Sequence, residues 1–179
     1  MVEALTFRPA RAAEEDWICS ALANDIDTLP LSDGTRPTMS VETIRLLVKH
    51  GLYGYGLQMF YVADGNGGPV GFVQLASTRD LLPVLLASGI YIFAPMIADV
   101  ATRSDVLLNA IYVEPRFRGH GIGRFLIERA VRSCRAGQRL CLLYSDGNAA
   151  YSLDFYTKLG FAAQGRTGSN ENEIYMLVR

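Results

Sequence analysis

Histidine and cysteine are scarce in this chain of 179 residues, and their scarcity removes whole classes of chemistry. His50 and His120 are the only histidines, too few and too far apart for a histidine-rich site, so no metal is expected. Cys19, Cys134 and Cys141 are an odd number without CxxC spacing. Two of them fall at apolar core positions, and a reduced chain is expected rather than a disulfide framework. The net charge is only -1, which leaves no general affinity for nucleic acid. The first residues, MVEALTFRPARAAEEDW, lack the basic start and apolar core of a signal peptide, so a cytoplasmic location is expected.

A long uncharged run is the one feature that approaches a membrane span. No charge occurs from Leu81 to Ala98, close to the roughly 18 apolar residues that mark a transmembrane helix. Pro83, Gly89 and Pro95 interrupt it, Ser88 lies inside it, and a span here would separate two strands that must pair in one sheet. No membrane partner is expected. The run reads as an apolar excursion at about 79–105, packed either on a second copy as a homodimer or within its own chain. Patch size favours the dimer.

What is present suffices for one sizeable core, with half of the residues hydrophobic, and a single domain over 1–179 is expected. A strand near Leu5 to Phe7 ends at Pro9, and an amphipathic helix follows from Ala12 to Ala23. Ala13, Trp17, Ala21 and Leu22 are expected to face inward, while Glu14, Glu15 and Asp16 suit the dipole of its first turn. Beyond a loop over 25–37, Ser40 caps a second helix from Val41 to about Lys49. Met59 to Ala63 and Val70 to Ala76 read as strands of a hairpin joined by Asp64 to Gly68. A further strand is expected over Val106 to Val113, a helix from about Gly121 to Arg135, and a short buried strand from Leu140 to Tyr144.

The stretch from Asn109 to Phe125, NAIYVEPRFRGHGIGRF, carries chemistry. Its strand ends at Glu114 and Pro115, and Arg118-Gly119-His120-Gly121-Ile122-Gly123 opens the helix, in which Ile122, Phe125, Leu126, Arg129 and Ala130 are spaced for one apolar stripe and its shoulder. Glycines take positive φ and let a phosphate approach the main chain, while the first N–H groups of a helix supply donors and partial positive charge. This is a candidate anion cradle. No Lys follows the glycines, which excludes a P-loop, and Leu126 stands where a dinucleotide fingerprint begun at Gly121 and Gly123 needs its third glycine. Residues 115–139 hold Arg116, Arg118, Arg124, Arg129, Arg132, Arg135 and Arg139 against Glu128 alone, whereas residues 1–40 hold seven acids against three arginines. A basic collar suits phosphates, and an acidic wall favours a cationic amine. Arg129, Arg132 and Arg135 read individually as a solvated face.

Downstream lies Phe155-Tyr156-Thr157-Lys158-Leu159-Gly160-Phe161, FYxKLGF, at the close of the last helix. With the RxxGxG loop entered from a strand, this segment resembles the GNAT acyltransferases over roughly the C-terminal 70 residues. The resemblance implies an α/β (α+β) GNAT acyl-CoA N-acyltransferase fold, with a mixed, mostly antiparallel central sheet flanked by helices. In that family acyl-CoA lies where the fourth and fifth strands splay apart, and an amine attacks the thioester directly. The implied cosubstrate is acetyl-CoA and the implied acceptor a small-molecule primary amine. Protein or peptide acetylation at an N-terminus or lysine, and a weakly active acyl-CoA sensor, are the alternatives.

By the same resemblance, main-chain groups around Tyr112 and Val113 polarise the thioester carbonyl. Arg118, Gly119, His120, Gly121, Ile122, Gly123 and Arg124 form the pyrophosphate loop, and Tyr156 protonates the departing thiolate and lines the coenzyme site. His120 enters as a loop residue, not as a catalyst. The family places an Asn seven residues before the tyrosine; here Ala149 holds that place and Asn148 precedes it. Asn148 is thus either a coenzyme contact or an N-cap. Glu114 is the candidate general base, taking the ammonium proton through water, or else an exposed strand-end charge; Tyr112 shares its face by alternation.

Overall fold

The computed structural model describes residues 5–24, 39–50, 56–77, 105–145, 150–167 and 174–179. The uncharged run of 81–98, the loop of 25–37 and Asn148 lie outside the described residues. In chain order the strands are β1 (Thr6–Pro9), β2 (Phe60–Gly65), β3 (Gly68–Ser77), β4 (Val106–Val113), β5 (Leu140–Ser145), β6 (Ala162–Thr167) and β7 (Ile174–Val178). The α-helices are α1 (Glu15–Asn24), α2 (Val41–His50), α3 (Ile122–Ser133) and α4 (Ala150–Lys158). The strands form one seven-stranded sheet in the order β1-β2-β3-β4-β5-β7-β6. β1 with β2, β2 with β3, β5 with β7 and β6 with β7 are antiparallel, and β4 with β5 is parallel. This is the mixed, mostly antiparallel sheet that was expected. Among the described residues no helix is long and apolar enough to cross a membrane.

The chain gathers into two compact units. The first holds β1, α1, α2, β2, α3, β3 as far as Leu75 and β4 from Asn109 onward. Its core is apolar side chains from α1 (Ile18, Cys19, Ala21, Leu22) and α2 (Ile44, Val48) against Phe60, Val62, Phe72, Ala110 and Tyr112 of the strands. β3 is buried continuously from Val70 to Ala76, as a strand covered on both faces must be. Ser40 caps α2 as expected, its hydroxyl accepting the Thr43 N–H at 3.2 Å. The hairpin turn is tighter than expected: β2 runs on to Gly65 and pairs it with Gly68, so only Asn66 and Gly67 form the turn. Gly68 takes φ 111°, which closes the short connection.

Two helix faces differ from their projected ones. Residues Ala12–Glu14 form a 3-10 turn ahead of α1, and the α-helical spacing does not carry across it. Ala13 is consequently exposed and Glu14 buried. In α3 the buried residues are Ile122, Leu126, Ile127 and Ala130, while Phe125 is half-buried and Arg129 exposed. The Arg129 guanidinium lies 5.2 Å from the Phe125 ring centroid, so these two form the shoulder of the stripe rather than its centre. Gly71 sets how closely the elements approach. A Cβ there would fall 2.6 Å from the Tyr112 carbonyl oxygen and 3.3 Å from Leu126 Cδ1.

The second unit holds the start of β4, β5, α4, β6 and β7. Its parallel ladder pairs Val106 with Leu140 and Leu107 with Cys141. Asp105, just before β4, is fully buried and accepts from the Arg139 main-chain N–H at 2.8 Å and from Arg139 Nε and Nη2 at 3.0 and 2.6 Å. A buried carboxylate needs such a partner. Arg139 is therefore engaged at a strand start, and the basic collar expected from its position loses that member.

Candidate active site

The end of β4 is shaped by an irregularity in its neighbour. Between β2 and β3 the register shifts, Ala63 facing Gly71 and Asp64 facing Pro69, which leaves Val70 as the extra residue of a bulge. The Val70 carbonyl accepts the Glu114 N–H at 3.0 Å. Glu114 then leaves the strand at φ -46°, ψ 129°, and Pro115 begins a 3-10 turn through Phe117. Phe117 N–H closes that turn on the Glu114 carbonyl at 2.8 Å. Arg118 is extended, and its Nε donates back to the Val113 carbonyl at 3.0 Å, tying the loop to the strand it left.

Gly119 and Gly121 follow with φ 79° and 81°, in the left-handed region that disfavours a side chain. A Cβ on either would meet nothing within 4 Å. Glycine is needed here for its dihedral angle, and the adjoining space is open for an anion to approach. The first α-helical bond of α3 joins Phe125 N–H to the Gly121 carbonyl at 3.0 Å. Ile122, Gly123 and Arg124 precede it, and their N–H groups belong to the turn that a helix leaves without internal acceptors. Arg116, Arg118 and Arg124 are exposed around this cradle. The residues present therefore fit a phosphate group. His120 is exposed, with Nδ1 2.9 Å from the Arg118 carbonyl oxygen; a carbonyl only accepts, so Nδ1 carries the proton. Its ring is bonded within the loop itself.

Beside the cradle, the half-buried Glu114 carboxylate accepts the Trp17 indole N–H at 2.7 Å. Trp17 meets the Tyr112 ring edge-on at 5.9 Å, and Tyr112 itself is buried. Tyr112 and Glu114 thus present to one helix, as alternation along β4 requires. Sequence reasoning placed Trp17 inward but missed its tie to Glu114.

Among the described residues, two acids of the amino-terminal region, Glu14 and Asp16, are paired. Arg8 bonds both Glu14 and Asp64, with Nη1 3.0 Å from Glu14 Oε2 and Nη2 2.8 Å from Asp64 Oδ2. The Arg8 guanidinium holds the Glu14 carboxyl below the usual carboxylate range, against burial and with help from the Arg11 N–H. Asp16 pairs with Arg45 at 2.8 Å on the surface. Glu14 and Asp16 are thereby balanced by neighbouring cations, and the expected acidic wall is weakened at both.

Tyr156 belongs to the second unit. Its segment ends α4 in a defined way: Phe161 N–H bonds the Tyr156 carbonyl at 3.1 Å, Gly160 N–H bonds the Thr157 carbonyl at 3.0 Å, and Gly160 takes φ 86°. That is a Schellman cap, whose usual apolar contact is made here by the Tyr156 and Phe161 rings at 5.7 Å. Phe155 meets Tyr156 from another side at 5.2 Å. The tyrosine is half-buried, its ring oriented by two aromatic neighbours.

A family model described as an acetyltransferase (GNAT) domain matches residues 56–163. An uncharacterized N-acetyltransferase of Methanocaldococcus jannaschii is 30% identical over 103 residues, which are 57% of this chain and 38% of that relative's length. An N-acetyltransferase from Staphylococcus aureus has the same fold, with a TM-score of 0.69 and 18% identity over 97% of this chain and 100% of the other. So has a variant of the spermidine N-acetyltransferase of Vibrio cholerae, with a TM-score of 0.63 and 14% identity over 98% of this chain and 92% of the other.

Proposed function

We propose that this chain, which belongs to the GNAT acetyltransferase family, transfers an acetyl group from acetyl-CoA to the primary amine of a small cationic molecule. The observation that carries the reading is the cradle, two positive-φ glycines opening directly into α3. Amides from Gly119 to Arg124 hold the pyrophosphate, and the exposed guanidiniums beside them hold the remaining phosphate charge. Along a strand successive amides point to opposite edges, so with Glu114 N–H directed at Val70 the Val113 N–H is directed to the other edge. There it polarises the thioester carbonyl.

The amine attacks that carbonyl carbon and the C–S bond breaks. Glu114 takes the proton that the ammonium must lose, and the Tyr156 hydroxyl gives one to the departing thiolate. A neutral hydrogen-bond donor holds this half-buried carboxylate without placing a second cation beside a cationic acceptor. The Vibrio cholerae protein of the same fold is a spermidine N-acetyltransferase, which supports a polyamine-like acceptor.

Thermal unfolding tests the cosubstrate. At a hundredfold excess over its dissociation constant acetyl-CoA should stabilise the fold by about 2.7 kcal/mol, and Gly121→Val should remove the shift. Equal protection by ATP or NAD overturns the reading. Thiol release from acetyl-CoA across amines and peptides tests the acceptor, and faster turnover of peptide N-termini than of spermidine would replace the small amine by a protein. Tyr156→Phe should lower turnover roughly tenfold to several hundredfold with acetyl-CoA binding intact. Unchanged turnover in a chemistry-limited assay removes Tyr156 from the mechanism.

A further inference from the structure

Glu114 ends a strand, and a carboxylate there has three side-chain torsions to settle before it faces a substrate in one way. Trp17 settles them from 97 residues away, its indole N–H 2.7 Å from Glu114 Oε1. Among the described residues Glu114 Oε2 has no hydrogen-bond partner. The indole is itself held, edge-on to Phe72 at 5.3 Å and to Tyr112 at 5.9 Å, with Phe72 packed in turn on Tyr112 at 5.3 Å. Its helix is pinned below by the buried Ile18, Cys19, Ala21 and Leu22, and at its entry by Glu14 on Arg8.

Resting on the reading of Glu114 as the base, we propose that Trp17 is its positioning residue, binding one carboxylate oxygen and turning the other to the acceptor ammonium. The choice of an indole matters. Its N–H is a neutral donor that cannot accept and does not titrate, so it fixes direction without adding a cation that would compete with the amine. A Lys or Arg at the same point would neutralise the carboxylate and repel the ammonium. The surrounding aromatic rings add rigidity, because a donor held by packing loses little freedom when it binds.

Trp17 is also the chain's only tryptophan, so indole emission reports the surroundings of this one side chain. Trp17→Phe, which keeps the ring packing and removes the N–H, should lower kcat roughly tenfold with the KM for acetyl-CoA unchanged. In a Glu114→Gln background the same substitution should lower it little further, because it acts through a carboxylate already gone. Equal fold-losses in both backgrounds would mean that Trp17 only packs, and would overturn the inference. If Glu114→Gln itself leaves turnover unchanged, the base assignment falls; if it lowers turnover and Trp17→Phe does not, only the positioning role falls. Should Trp17→Phe fail to fold, the emission of Trp17 in wild type and in Glu114→Ala, which removes the acceptor, decides the matter. A changed emission maximum supports the contact, and identical spectra overturn it.

Discussion

Glu14 and Glu114 belong to the same unit and both reach α1 or its entry, yet they are held in opposite ways. Glu14 is buried, bonded to the Arg8 guanidinium and to the Arg11 N–H, and linked through Arg8 to Asp64 on β2. Glu114 is half-buried and meets a single neutral donor on Trp17. The first arrangement locks a charge in place by surrounding it with countercharge and donors, which also lowers its affinity for a proton. The second fixes direction without a countercharge. On the proposal that Glu114 is the base, the charge of the partner separates the two carboxylates more than depth does.

Breaking Arg8 tests the structural half and should give the largest effect. Arg8→Ala leaves Glu14 and Asp64 without their shared cation, and a broken buried pair costs about 3–5 kcal/mol; because Arg8 is 17% exposed, the low end is expected. Denaturant unfolding measures it. The pH dependence has a definite sign. Glu14 has its folded-state value lowered from 4.5, so its contribution is fully present above that value and is lost as pH falls through the lowered one. The gap between wild type and Arg8→Ala should be widest near neutral pH and narrow on acidification. A gap that does not change with pH would show that Arg8 acts by packing rather than by charge.

These pairings mark where reading the chain alone stops. The geometry of the glycine loop was legible because everything it needs is local: a strand ended by proline, glycines at fixed spacing and a helix start. The bounds of β4, Val106–Val113, and the cap at Ser40 were legible for the same reason. Glu14 was expected in the first turn for its fit to the dipole, an argument that considers only its own helix, whereas Arg8 and Asp64 approach from two strands. Trp17 with Glu114 and Asp105 with Arg139 are likewise contacts across the fold, 97 and 34 residues apart in sequence. Nothing in the periodicity of either partner names the other. Ala13 was misplaced for a smaller reason, a 3-10 turn where α-helical spacing was assumed.

Asp105 extends the comparison into the second unit and yields the smallest effect. It is held as Glu14 is, by an arginine and a main-chain N–H, but it also lies 3.8 Å from Cys141 Sγ. Burial pushes the Cys141 thiol up to about 12, the Asp105 charge adds to the rise, and Arg139 opposes it. Only the thiolate is alkylated, and a thiol raised this far is almost wholly protonated at pH 8. Iodoacetamide should therefore leave Cys141 unmodified in the native protein and modify it after unfolding, as read by mass spectrometry. Cys134 is half-buried, and its thiol is also raised, first by burial and then by Asp105, so it should react slowly but ahead of Cys141. Native labelling of Cys141 as fast as Cys134 would mean that the Cys141 thiol is not shielded by burial beside Asp105 as this packing requires.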